Sequence, residues 1–250
     1  MWNRREGAPY RLRAALKKFA EHDVDLPKPV ARAVELLDRI EANPVPDPSP
    51  HTLHDAVLDG ASLDQLDQLA LRQLAHGRVR DAWAQARLTA AANALDAILD
   101  CRNEIHAALA EVADDCISKL ERIAELGDAR LDTLIREGKT DAARLVADKE
   151  LTGSQLNELY QFRDVYLTPP EIDPRPHGVD CTRWREPRKV RNLHGDNVLD
   201  TLITGLKRGG QLWYPSAAEA AEAAAPIVAE HQAAGERRRQ NQHGIGHVAI

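Results

Sequence analysis

Apolar residues return every three or four positions through most of the chain, the repeat of amphipathic helices rather than the alternation of half-buried strands. The longest such stretch runs from Ser62, which forms a capping box with Gln65, to Leu126 without a proline. As one unbroken helix at 1.5 Å per residue it would extend on the order of 100 Å. Gly77 is its weak point, since glycine inside a helix costs about 1 kcal/mol relative to alanine. From Leu88 onward the pattern is heptad-regular. One row holds Leu88, Leu95, Arg102, Leu109, Cys116 and Ile123, and a second holds Ala91, Ile98, Ile105, Val112, Lys119 and Leu126. A third row, Ala92, Leu99, His106, Ala113 and Leu120, widens the stripe beyond the two-row seam of a simple coiled-coil dimer. The fold class expected is therefore mainly α: an elongated helical bundle or hairpin around a long central helix, with a small irregular C-terminal module. Arg102 and Lys119 interrupt the seam either to fix register or, the reading preferred, where the stripe turns toward solvent and their stems snorkel.

The remaining elements follow from breakers and caps. Pro9 opens a helix to about Ala20, and Pro29 opens another to about Ala42. A Pro-rich run from Asn43 to Pro50 excludes helix, and a short helical turn from Thr52 to Asp59 stops at Gly60. After Leu126 the signals predict Gly127 as a C-terminal cap, Asp128 as the next N-cap, and a break at Gly138 with Thr140 capping the following helix. They also predict a second capping box at Thr152 and Gln155, ahead of Leu156, Leu159, Tyr160 and Phe162. Folded back, these segments would cover part of the long stripe, leaving the rest to the N-terminal helices or a second subunit. Beyond a second Pro-rich run, Thr168 to Pro176, a helix is expected at about Asn197 to Leu206, then a turn at Lys207–Gly210 and a short strand or extended arm at Gln211–Tyr214. Ser216 with Glu219 caps an Ala-rich helix that Pro226 limits or kinks. The expected organisation is a basic helical pair (1–43), a Pro-rich connector with a short helix (44–61), the long-helix bundle (62–167), a Pro-rich linker (168–180), a basic C-terminal module (181–235) and a flexible tail (236–250).

Charge changes this picture by locating contacts. The formal net charge is −6, but residues 1–20 carry six basic side chains against one acidic, residues 21–174 sixteen against thirty, and residues 175–213 eight against four. An acidic body with basic flanks bears on partners and self-association rather than on fold. Three cysteines without regular spacing, Cys101, Cys116 and Cys181, do not form a secreted disulfide framework. The basic start at Arg4 and Arg5 leads into Glu6, Gly7 and Pro9 rather than an apolar signal core. No stretch reaches the roughly 20 apolar residues of a membrane span. Localisation is expected to be cytoplasmic, or within a cytoplasmically assembled particle, with no membrane association.

Candidate chemistry is sparse. Gly138-Lys139-Thr140 matches the end of a phosphate-binding loop, but the glycine required five residues earlier is Thr133. His51, His54 and Asp55 offer three metal ligands on one helical face without a fourth. His177, Asp180, Cys181, His194 and Asp196 supply the residue types of a Cys/His nucleophile or a zinc site at no recognised spacing. Gly244 and Gly246 work against a helix that would align His243 with His247, and Cys101 and His106 sit on divergent helical faces. No catalytic, cofactor-binding or metal-binding residues are assigned, and no cofactor is expected. Asp115 with Lys119 and Asp132 with Arg136 read as ordinary surface pairs.

Two interaction surfaces are expected instead. One is the helix stripe Leu88, Leu95, Ile98, Ile105, Leu109, Val112, Ile123 and Leu126. The other is the basic module Arg183, Trp184, Arg185, Arg188, Lys189 and Arg191, where arginines could meet phosphates and the indole could stack on a base. The leading expectation is a non-catalytic structural or assembly protein acting through helix–helix packing and a C-terminal arm, with a protein partner or self-association. In general layout it resembles phage- or mobile-element-type assembly proteins, such as scaffolding or connector components, though no motif defines a family. The alternatives are a nucleic-acid-associated accessory protein using the basic module and, third, an enzyme centred on Cys181 and His194.

Overall fold

A computed structural model describes residues 7–46, 52–173, 175–190, 193 and 195–244. The fold is mainly α, with ten α-helices among the described residues. The chain divides into two compact units, Met1–Cys101 and Arg102–Ile250.

The first unit contains α1 (Ala8–Glu21), α2 (Lys28–Glu41), α3 (Leu53–Leu58) and α4 (Leu63–Asp100). Leu12, Ala15 and Phe19 of α1 and Val30 and Leu37 of α2 form its core with Ala90, Ala91, Ala94 and Ile98, all from the last three turns of α4. The alanines let the neighbouring backbones approach, so the bulk comes from α1 and α2. Polar bonds fix the seam between α2 and α4: Trp83 Nε1 donates to Ile40 O at 3.0 Å, and Glu41 accepts from Arg87 Nε at 2.6 Å and Arg13 Nη2 at 2.8 Å. The Arg87 bond, followed by the one from Arg13, holds the Glu41 carboxyl below the usual carboxylate range. Thr52–Asp55 and Ser62–Gln65 close capping boxes at the starts of α3 and α4.

The second unit contains α5 (Arg102–Glu125), α6 (Leu131–Arg136), α7 (Thr140–Ala147), α8 (Lys149–Phe162), α9 (Val198–Lys207) and α10 (Ala217–Gly244). Ile105, Leu109, Ala113, Cys116, Ile117, Leu120 and Ile123 of α5 are buried. They meet α7, α8 and α9, so this half of the long stripe is covered by fold-back within the chain. Trp184 and Leu212 form a single antiparallel bridge, and Trp184 lies in the α9 corner against Gly205 and Gly210.

Several expectations are corrected. The segment from Ser62 to Leu126 is two helices, and the break is at Cys101 (φ −87°, ψ 11°), not at Gly77. Gly77 leaves the hydrogen-bond ladder intact, whereas Cys101 stands where the chain passes from burying side chains in one core to burying them in the other. Asp128 is no N-cap: α6 starts from Arg130, and Asp128 Oδ1 accepts from Lys207 Nζ at 2.7 Å. Lys139, not Thr140, precedes α7. Thr152 lies inside α8, its hydroxyl donating to Asp148 O, and Gly153 is a packing notch, since a Cβ there would stand 2.7 Å from Leu199 Cδ1. Gln211–Tyr214 pairs at one bridge only, and α10 continues through Pro226. Arg136 Nε donates to the main-chain oxygen of Asp132 rather than to its carboxylate.

Two helical glycines therefore respond oppositely to alanine. A Cβ on Gly205 would lie 2.2 Å from Trp184 Cη2, so Gly205→Ala should cost about 1–2 kcal/mol net of its better helix propensity. A Cβ on Gly77 meets nothing within 4 Å, so Gly77→Ala should stabilise by about 0.5–1 kcal/mol. Urea midpoints of the two variants moving in the same direction would refute the close approach at Gly205.

Candidate interaction surfaces

The stripe residues go to different environments. Ile98 is buried in the first unit, Ile105, Leu109 and Ile123 are buried in the second, and Leu88, Leu95, Val112 and Leu126 are half-buried. Lys119 pairs with Asp115 on the surface, which raises the Lys119 pKa.

The basic module is tied into its own unit. Trp184 is only 5% exposed. Arg183 lies 5.4 Å from the centre of the Tyr160 ring and 3.8 Å from an Asp180 carboxylate oxygen. Arg185 covers the Trp213 ring at 4.9 Å, Arg188 Nη2 meets Glu230 at 2.6 Å, and Lys189 pairs with Glu186. Arg191 lies outside the described residues.

Beside this module is a polar centre the sequence did not reveal. Arg163 opens a π-helical turn, Arg163–Leu167, that continues α8, and its side chain is 2% exposed. Its Nη1 donates to Thr182 O at 2.8 Å and to Pro215 O at 3.5 Å, while Nε and Nη2 both donate to Asp164 Oδ1. The guanidinium carbon lies 5.1 Å from the ring centres of both Tyr160 and Tyr214. The tyrosines are anchored at their far ends, Tyr160 Oη donating to Trp213 O and Tyr214 Oη to Leu159 O. Burial pushes both phenols well above their ordinary pKa. Arg175 Nη2 pairs with the other Asp164 oxygen, and His106 stacks on Tyr214 with its Nε2–H donating to Tyr214 O at 3.1 Å. The sequence signal is partial: the apolar spacing includes Tyr160, but nothing in a lone Arg163 distinguishes it from a surface arginine.

Two hollows of this unit bear on the candidate chemistry. One, about 140 Å³, is lined by Arg102, His106, Arg163, Ile172 and the start of α10, where Ser216 and Glu219 already satisfy one another. The other, about 570 Å³, is lined by Asp180, Arg183, Trp184, Leu202 and the rings of His177 and His231, which stack 3.9 Å apart. Cys181 is fully buried with Val179, Ala224 and Ile227, and burial raises its thiol pKa. Asp196 is exposed, while His194, His51 and His247 lie outside the described residues. Asp55 is engaged in the cap of α3 beside His54. Among the described residues no three His, Cys, Asp or Glu side chains converge as a metal would require, and no helix is long and apolar enough to cross a membrane.

The largest apolar exposure is on the first half of α4 and on α3. Leu63 is 79% exposed, Leu71 65%, Leu74 62% and Val79 57%, and Val57 and Leu58 of α3 are exposed as well. Isolated apolar surface residues are ordinary; here Leu63, Leu71 and Leu74 share about 80° of one helix, while Val79 lies further round.

Two outcomes test the Arg163 centre. Lysine cannot reach Asp164 and two carbonyls at once, so Arg163→Lys should lower stability by about 2–4 kcal/mol in urea denaturation. Burial holds His106 below its ordinary 6.5, so the unfolded chain binds that proton more readily than the folded one. Stability should be fully present above pH 6.5 and decline as the pH falls from there to the depressed folded value. The decline should be smaller in His106→Gln, and equal slopes in variant and wild type would refute the assignment.

Comparison with protein-family models, with curated proteins and with solved structures gives no match to this chain.

Proposed function

We propose that this chain is a non-catalytic structural or assembly protein that works by packing the first half of α4 against a helix of a protein partner, with α10 as a C-terminal arm. The observation that carries this reading is the contrast within α4. Its last three turns are filled by α1 and α2, while Leu63, Leu71 and Leu74 stand in solvent on a helix that is capped and fully formed. Burial of a leucine is worth about 1.5–3 kcal/mol, so a partner helix covering three of them supplies a driving force that needs no new fold. The basic module supports the same reading, since Arg183, Arg185, Arg188 and Lys189 already face carboxylates or rings and the thiols of Cys116 and Cys181 are buried. Beyond Ile227, α10 is mostly exposed and carries Arg237, Arg238 and Arg239, which suits an arm rather than a core element.

Light scattering between about 1 and about 100 µM tests the reading through mass action. The expected result is an average mass above that of one chain that rises with concentration. The double variant Leu71→Glu, Leu74→Glu should return it to one chain mass with unchanged helical circular dichroism. A wild-type chain monomeric at every concentration would sink self-assembly, and a variant that assembles normally would remove α4 as its surface.

A further inference from the structure

We infer that the stacked pair His177 and His231 is a pH-sensitive latch, which holds the distal end of α10 to its own unit near neutral pH and releases it in mild acid. The inference is independent of the assembly reading, because it concerns contacts within one chain. Past Ile227 no described side chain of α10 is buried. Two contacts tie this stretch down one turn further on. Glu230 accepts from Arg188 at 2.6 Å, and the His231 ring lies on that of His177, their centres 3.9 Å apart and their planes within 12° of parallel. His177 reaches that position from a left-handed backbone (φ 55°, ψ 29°), a conformation that histidine adopts more readily than most non-glycine residues. Hydrogen bonds from Gly178 N to Arg175 O and from Val179 N to Pro176 O close the turn around it, and Pro176 and Val179 are buried. The stack therefore joins a turn fixed in the unit to a helix end that has no buried side chain of its own.

Charge makes the stack conditional on pH. Two imidazole rings stack readily when at most one is charged, whereas two imidazolium rings at this distance set like charges face to face. Histidine is the side chain that ordinarily changes charge between pH 5 and 8, so mild acid supplies the second charge. The surroundings do not neutralise it. Arg175, just before the turn, meets Asp164 at 2.8 Å and Asp180 at 3.7 Å, and Arg183 stands 3.8 Å from the other Asp180 oxygen. On α10, Glu230 is taken by Arg188, and the residues one turn to either side of His231 (Ile227, Val228, Ala234 and Gly235) are uncharged. α9 brings only the uncharged Thr201 and Leu202 to the adjoining hollow. Each carboxylate near the stack, among the described residues, thus already faces an arginine. The released state accommodates both protons and the stacked state does not, so docking is fully present above the histidine range and weakens as the pH falls through it. A helix end freed from tertiary contact frays, because isolated helical stretches of this length are marginal in water.

Hydrogen exchange of the full-length chain tests this, read as protection of the amides of residues 228–239 relative to their intrinsic rates at each pH. In the wild type, protection should fall at least about fivefold between pH 7.5 and pH 5.0, a window above the ordinary carboxylate range. His231→Phe keeps an aromatic face over His177 and leaves one ring to charge, and an imidazolium over a phenyl face is attracted rather than repelled. Its protection should therefore change by less than about twofold, or rise, over the same window. His177→Asn, a residue that also tolerates the left-handed backbone, should abolish the pH dependence as well. Both variants retain His106, so the difference from wild type isolates the stacked pair from any general loss of stability in acid. Equal wild-type protection at the two pH values, or a fall in His231→Phe as large as that of the wild type, overturns the latch.

Discussion

A guanidinium that cannot give up its charge sits in the interior of the second unit, and much of that unit is arranged around it. Burying Arg163 is tolerable only if most of its donors are met in the right plane. The π-helical turn at the end of α8 delivers the side chain, Asp164 closes one edge, and the carbonyls of Thr182 and Pro215 draw two distant loops onto the other. The rings of Tyr160 and Tyr214 pack against the guanidinium next to one another, their centres 5.9 Å apart, and because each phenol is tied to a backbone carbonyl of the opposite segment, α8 and the Trp213–Pro215 segment are held together. Apart from α9, the segments from 168 to 216 contain little regular structure among the described residues, and this polar centre holds them together with the apolar cluster of Val179, Cys181, Ala224 and Ile227.

Within the first unit the corresponding constraint is apolar. Ala90, Ala91 and Ala94 give up bulk so that α1 and α2 can lie close to α4, and the Arg13–Glu41–Arg87 bridge fixes the seam at its rim. Only the C-terminal half of α4 takes part. Its first half keeps its helix through a good cap and through residues that are mostly strong helix formers, and it therefore presents leucines without surrendering structure. A preformed, rigid apolar face pairs without first paying the entropy of ordering, which is the physical basis of the assembly role proposed for it.

The helices themselves were legible because caps and apolar spacing act over a single turn. Ser62 with Gln65, Thr52 before α3, Gly127 at a left-handed turn and Asn197 before α9 all do what their chemistry demands. Where local signals misled, a long-range contact prevailed: Leu199 requires a glycine at 153 inside α8, and Lys207 engages Asp128. The heptad rows found the long stripe but not its division at Cys101, since periodicity is the same on both sides of a change of core.

By itself the sequence determined that the chain is helical, where most helices start and stop, and which faces are apolar, because these depend on residues within four positions of one another. Tertiary structure alone decided which apolar faces were satisfied internally. Ile105, Leu109 and Ile123 disappear beneath α7, α8 and α9, whereas Leu63, Leu71 and Leu74, equally apolar and equally helical, do not. It also decided that Arg163 is interior and Trp184 enclosed, since burial depends on which distant segments arrive, and no local pattern encodes that arrival.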